Sequence, residues 1–193
     1  MKPDIIAFTD ASVTKIGSHC TTGYGYLLLN LKKGVFTYGS EQIPGKMGKL
    51  GSSDYGEHYS VFAMLEELQN RGVHNKKIMI VTDYTQAIKT YSRASADAQP
   101  VRHTTLYNKV HKIARDNGYT LKFVHIHSHT NSNKYISTKA TSIIRRDLDK
   151  FNVTGNMDLT SLFIQCNRFV DLCAKAATDK YKKIYKNKKL SIE

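Results

Sequence analysis

Two short apolar runs constrain this chain more than any other feature. They are Ile5-Ile6-Ala7-Phe8-Thr9-Asp10 and Ile78-Met79-Ile80-Val81-Thr82-Asp83, and each stops at an aspartate. Near-continuous apolarity over so few residues is the mark of a strand buried on both faces. Strands of that kind sit in the middle of a sheet that helices cover on each side.

The remaining segments fit around them. Residues 11–22 are polar, contain Gly17, and read as a loop. Tyr24–Leu31 and Val35–Tyr38 read as strands joined by a hairpin-like turn at Lys32-Lys33-Gly34. A Gly- and Ser-rich connector over roughly 39–53 leads into a helix over 54–71. Tyr59, Phe62, Ala63, Leu65 and Leu68 keep helical spacing there, and Gly72 is its stop. A short helix follows Asp83, through Ala87, Ile88 and Tyr91. A second, after Pro100, carries Leu106, Val110 and Ile113 to Gly118, and Leu121–Ile126 is a fifth strand. A long polar stretch over 130–160, with a possible helix in SIIRRDL, precedes a last helix. That helix is expected to bury Leu162, Cys166, Phe169, Cys173, Ala177, Tyr181 and Ile184. The order βββαβααβα predicts a mixed α/β sheet with helices on its faces.

Four carboxylates stand at the mouths of different elements: Asp10 and Asp83 at strand ends, Glu57 in the first turn of the 54–71 helix, and Asp171 on the last helix. Sites in open α/β sheets form at the carboxyl ends of the strands, where Asp10 and Asp83 lie side by side if their strands are parallel neighbours. Each acid alone has a plainer reading: Glu57 as a helix-terminal acid, Asp83 as an N-cap. Together they imply a cation, because like charges a few ångströms apart repel strongly.

The charge balance names a partner for that cation. Among 193 residues, Lys and Arg outnumber Asp and Glu 29 to 16, a formal net charge of +13. That excess points to a polyanion, and 40% hydrophobic residues exclude a disordered polybasic tail. Acids that hold divalent metal against a phosphate captured by a basic surface describe a metal-dependent nuclease. No run is long enough to span a membrane, and the four-residue apolar run that follows Met-Lys-Pro-Asp is too short for a secretory leader, so the expected setting is intracellular. Three cysteines without a CxxC pair argue against a disulfide framework or a zinc site.

In this order the motifs resemble the type 1 ribonuclease H family. The resemblance is carried by TDAS at 9–12, GYGYLL at 23–28, Glu57 on a helix after a Ser-rich loop, and IVTDYTQAI at 80–88. PVRHTTLYNKV at 100–110, HIHSH at 125–129 and NRFVDLCAKAA at 167–177 extend it over nearly the whole chain. It implies a single ribonuclease H-like domain over 1–193, with a five-stranded mixed sheet of order 3-2-1-4-5, an insertion at 130–162 and a basic helix or tail at 178–193. It further implies two-metal hydrolysis of the RNA strand of an RNA–DNA hybrid, leaving 5′-phosphate and 3′-hydroxyl ends. Two Mg²⁺ or Mn²⁺ ions would serve, Asp10 bridging both, Glu57 and Asp83 on one and Asp171 on the other. Asn167, one helical turn before Asp171, matches the family's helical asparagine. His129 fits the family's strand-end histidine, with His127 the alternative and a plain solvated residue the third reading.

Three features depart from that pattern. The insertion carries Lys139, Arg145 and Arg146, which suit substrate contact. The loop before Glu57 reads SSDYG where many members have paired asparagines, leaving Ser12, Ser52 and Ser53 as candidate substrate contacts. The ASADAQP segment between the middle helices is small and uncharged, with no basic protrusion, so the insertion or the terminal YKKIYKNKK would have to hold the hybrid. The expected partner is therefore nucleic acid, with no membrane, and the expected state a monomer; a phage or other mobile element is a guess at the source. Proofreading-type exonucleases are disfavoured because Ser12 stands where they carry Glu. A ribonuclease H-like DNA nuclease or resolvase, or a catalytically silent nucleic-acid-binding module, is the competing reading.

Overall fold

The computed structural model describes residues 2–16, 19–30, 36–44, 52–91, 103–126 and 159–190. His127, His129, Lys139, Arg145, Arg146, the turn at 32–34, the SIIRRDL segment and most of the expected insertion lie outside the described residues.

Five strands form one sheet of order β3-β2-β1-β4-β5, with β1 Ile5–Ile16, β2 His19–Asn30, β3 Phe36–Gln42, β4 Lys77–Thr82 and β5 Thr120–His125. β1 pairs antiparallel with β2 and parallel with β4, so the sheet is mixed, as the motif order implies. The helices are α1 Ser53–Asn70, α2 Thr85–Tyr91, α3 Thr104–Asp116 and α4 Leu159–Leu190. The last four residues expected in the insertion therefore already belong to α4.

β4 is the buried centre its composition demands: Ile78, Met79, Ile80 and Val81 are at most 1% exposed. Side chains alternate across the pleat. Ile5, Ala7, Ile78 and Ile80 pack with Val61 and Leu65 of α1 and Val110 of α3 on one face. On the other, Ile6, Phe8, Met79 and Val81 pack against Phe163, Cys166 and Val170 of α4. Phe8 and Phe163 meet edge-to-face at 5.1 Å between centroids, and fully burying such a side chain stabilises by roughly 1.5–3 kcal/mol. α1 ends where Gly72 takes φ +64° and its N–H bonds back to the Gln69 carbonyl at 2.9 Å, a left-handed cap that favours glycine.

Two expectations need correction. Residues 11–16 and 19–22 are strand, not loop: β1 and β2 stay paired out to Ile16↔His19, and Gly17 lies outside the described residues. The segment is polar but rich in β-branched Val13, Thr14, Thr21 and Thr22, which suit a pleated ribbon whatever their polarity. The buried face of α4 is also turned from the expected one: Cys166 is buried as expected, but the face runs through Phe163, Val170, Ala174 and Thr178, while Phe169 is 38% and Leu172 55% exposed, and the side chains of Tyr181 and Ile184 lie outside the described residues. The reason is the floor beneath the helix. Side chains on Gly23 and Gly25 of β2 would fall 2.6 Å and 2.8 Å from the Ala174 and Val170 carbonyl oxygens. Over those two glycines the helix buries the smaller Val170, Ala174 and Thr178 and leaves Phe169 and Leu172 outward. All three cysteines are free.

Candidate metal centre at the carboxyl end of the sheet

The parallel pairing of β1 with β4 ends at Phe8↔Val81. Asp10 lies two residues farther along β1, and Asp83 directly follows β4. Asp10 is therefore not at a strand end: it sits inside a twelve-residue strand, opposite Gly25 of β2. Glu57 comes from the second turn of α1 rather than the first; the first-turn acid is Asp54. α1 reaches this position because residue 56 is glycine: a Cβ there would meet Thr22 Cγ2 at 2.6 Å and Ala11 Cβ at 2.7 Å.

The result is a compact trio. One ligand oxygen each from Asp10, Glu57 and Asp83 lie within 4.8 Å of one another, with Asp10 and Glu57 buried and Asp83 half-buried. Burial, then the Asp83 charge, pushes the Asp10 carboxyl up to about 7, against the Ala11 N–H that donates to it at 2.7 Å. Burial and the neighbouring Asp10 push Glu57 well above its ordinary range, and its side chain bonds to Asp10. Glu57 Oε2 is buried with no hydrogen-bond partner. Three acids so placed resist ionising together unless a cation joins them. The donors are all carboxylate oxygens, which suit hard divalent ions.

Asp171 is not within that trio. It lies half-buried on α4, where Lys175 donates to its Oδ2 at 2.7 Å, and its charge still raises the Asp10 pKa. Asn167 is buried one turn earlier. Ser12 lies on β1 two residues beyond Asp10, hence on the same face of the strand. Ser52 is the N-cap of α1, its hydroxyl accepting the Tyr55 N–H at 3.3 Å, while Ser53 is exposed in the first turn.

Sequence reasoning missed the bracing around the trio. Asp54 accepts a hydrogen bond from the Tyr84 hydroxyl, and its other oxygen is 3.1 Å from His103 Nε2. Burial opposes ionisation of Asp54, yet the Tyr84 and His103 bonds outweigh it and hold this carboxyl below its ordinary range. His58 Nδ1 lies 2.9 Å from the Tyr91 hydroxyl. Asp54 thus ties the start of α1 to the residue after Asp83 and to the N-cap of α3. The first of the alternating histidines, His125, has Nε2 3.2 Å from the Asp83 carbonyl oxygen and so donates to it. That bond fixes the backbone of the site. The signal for the bracing was a polar residue beside each acid, too common a pattern to single out.

No protein-family model and no curated protein sequence matches this chain. Its fold does match solved structures. LC11-RNase H1 in complex with an RNA/DNA hybrid superposes with a TM-score of 0.52 at 19% identity, covering 76% of this chain and 97% of that one. A structure of LC11-RNase H1 isolated from compost by a metagenomic approach gives 0.51 at 20% identity, covering 77% and 97%. The chain has the fold of a type 1 ribonuclease H. Among the described residues no helix is long and apolar enough to cross a membrane.

Proposed function

We propose that this chain is a metal-dependent nuclease that cuts the RNA strand of RNA–DNA hybrids by a two-metal mechanism, leaving 5′-phosphate and 3′-hydroxyl ends. The observation that carries the reading is the Asp10–Glu57–Asp83 trio, gathered within 4.8 Å with a buried, unpartnered Glu57 oxygen. The hybrid as substrate is supported by the shared fold, since a protein of that fold has been solved with an RNA/DNA hybrid bound.

Asp10, Glu57 and Asp83 would hold one divalent ion, with Asp10 and Asp171 holding a second, Mg²⁺ or Mn²⁺ in each case. Bound cations of this kind supply Lewis-acid activation of an attacking water and neutralise charge on the leaving oxygen. The protein's own part is placement. β1 and β4 hold two acids side by side, α1 brings the third, and the His125 and Asp54 bonds hold the Asp83 carbonyl and the Tyr84 side chain that follows it. For Asp171 to serve, Lys175 must give up its ion pair, which at an exposed lysine costs little. His129, with His127 as the alternative, is assigned proton transfer to the departing oxygen or release of the product. Asn167, Ser12, Ser52 and Ser53 are assigned substrate contacts near the centre, and Lys139, Arg145 and Arg146 contacts from the 130–162 segment. The unit doing this is one ribonuclease H-like domain over 1–193.

The test is a cleavage assay with labelled RNA–DNA hybrid, duplex DNA and duplex RNA in Mg²⁺ or Mn²⁺. Cutting confined to the RNA of the hybrid is expected, with product ends read by phosphatase and ligase sensitivity. Intact hybrid beside a control enzyme that cuts it would sink the reading; cutting of duplex DNA instead would move the chain to another nuclease class.

A further inference from the structure

α4 runs alongside β1 in the same direction. Phe163 meets Phe8, Val170 and Cys173 lie over Gly25, the partner of Asp10, and Ala174 and Thr178 lie over Gly23, the partner of Ser12. Thr178, 1% exposed, is the last residue of the helix described as buried. The helix nevertheless continues to Leu190. At ~1.5 Å per residue these twelve further residues extend it by about 18 Å. The direction matters, because that end of the sheet is the one where Asp10 and Asp83 stand.

The extension is a run of cations. Lys180, Lys182, Lys183, Lys186, Lys188 and Lys189 face a single acid, Asp179, and Lys182 and Lys183 are exposed. Lys175 and Lys182 are exposed and seven residues apart, and so share one stripe of the helix. The stripe begins at the lysine paired with Asp171. Like charges along a helix repel and weaken it, a cost that a polyanion lying along the stripe removes. The paired strands β1 and β2 also extend past Asp10 in the same direction, with Lys15 exposed near the end of β1.

We infer that the carboxyl-terminal half of α4 is an arm that lies along the phosphate backbone of a nucleic-acid duplex and holds it beside the acid cluster. The inference takes its substrate from the nuclease reading, but the contact is with phosphates and does not require that the duplex be cut. Because phosphates carry no sequence, the arm should hold hybrid and duplex DNA alike.

The experiment measures binding of a fluorescent RNA–DNA hybrid, and of duplex DNA of the same sequence, across a salt series with Ca²⁺ replacing Mg²⁺. Three proteins are compared: wild type, Lys180→Gln/Lys182→Gln/Lys183→Gln, and a control, Lys2→Gln/Lys76→Gln/Lys77→Gln. The control removes the same charge at the opposite end of the sheet. Each lost phosphate contact lowers the log–log salt slope by about 0.9, so the arm variant should lose about 2–3 in slope. It should also bind about tenfold or more weakly near physiological salt, while the control keeps the wild-type slope. Arginine at the same three positions should restore binding, and Lys182→Glu/Lys183→Glu gives a second reading should the triple variant fold poorly by circular dichroism. An unchanged slope in the arm variant, or an equal drop in the control, overturns the arm. A reduced slope in a protein that cuts nothing keeps the arm and removes the nuclease reading.

Discussion

The two faces of the sheet are covered in opposite ways. Toward α1, α2 and α3 the interior is thick and aromatic: Tyr91 stacks on Tyr107 at 5.8 Å and on Phe123 at 5.1 Å, and a polar network through Asp54 knits three elements together. Toward α4 the interior is thin where it matters, since the helix rests on Gly23 and Gly25 with backbone almost against backbone. Each face brings an acid whose charge or side chain reaches Asp10. Glu57 arrives buried, on a helix whose start Asp54 braces; Asp171 arrives half-buried and paired with a lysine. The contrast shows two ways to aim a carboxylate: fix the start of its helix with hydrogen bonds, or remove everything that would keep its helix away.

The largest effect should come from the strand acids that both faces serve. Asp10→Asn or Asp83→Asn should abolish hybrid cleavage, by at least about a thousandfold, while circular dichroism shows an intact fold; full activity in either would take that residue out of the site.

Next is the pH dependence of the metal-free protein, which separates the two helical acids. The Asp10 pKa is raised from 3.8 to about 7 by folding, so its protonated form is favoured in the native state. Stability should therefore be highest below about pH 4 as far as this group is concerned and decline as pH rises toward 7. Each pH unit between the unfolded and folded pKa values is worth about 1.4 kcal/mol. Thermal melts should show this decline lessened by Glu57→Gln, which leaves fewer buried acids to ionise, and by millimolar Mg²⁺ at a pH above 7. Asp171→Asn should change it much less. Equal effects of the two variants would mean the faces do not differ as described.

Gly25→Ala tests the thin face. The added methyl meets the Val170 carbonyl at 2.8 Å, so α4 must shift, and overpacking of this kind costs about 1–3 kcal/mol. Activity should fall along with melting temperature. The smallest effect is expected on the braced face. Asp54→Asn should cost about 1 kcal/mol through weakened bonds to Tyr84 and His103, and should raise the Mg²⁺ concentration needed for half-maximal cleavage. If Asp54→Asn harms more than Gly25→Ala, the ranking of the two devices is reversed.

Much of this was legible in the residues. Continuous apolarity announced β1 and β4, and the aspartates that close the two apolar runs mark the site end, though β1 runs on past its own. Gly72 announced its cap. What could not be read arose from contacts between distant segments. The strand segments over 11–16 and 19–22 are held by pairing and not by their own hydrophobic pattern. The buried face of α4 depends on glycines some 145 positions earlier (Gly25 beneath Val170), so a rule that places large apolar residues inward turned it the wrong way. Glu57 was visible as an acid near a helix start. That Gly56 beside it permits the approach to Ala11 was not, because a glycine inside a helix reads first as a weakness.

The seat of α4 also sets an order of events. Ser40 Oγ donates to the Cys173 carbonyl across 133 residues of chain at 2.6 Å, and the contacts over Gly25 and Gly23 span still more. Contacts that distant close late, because the loop entropy is spent before they form. On a ribosome, β1 through β5 would emerge and begin pairing while the helix that supplies Asp171 had yet to be made. The acids of the strands and α1 would then meet first, and the chain would pass through a stage with three of its carboxylates gathered and the fourth still absent.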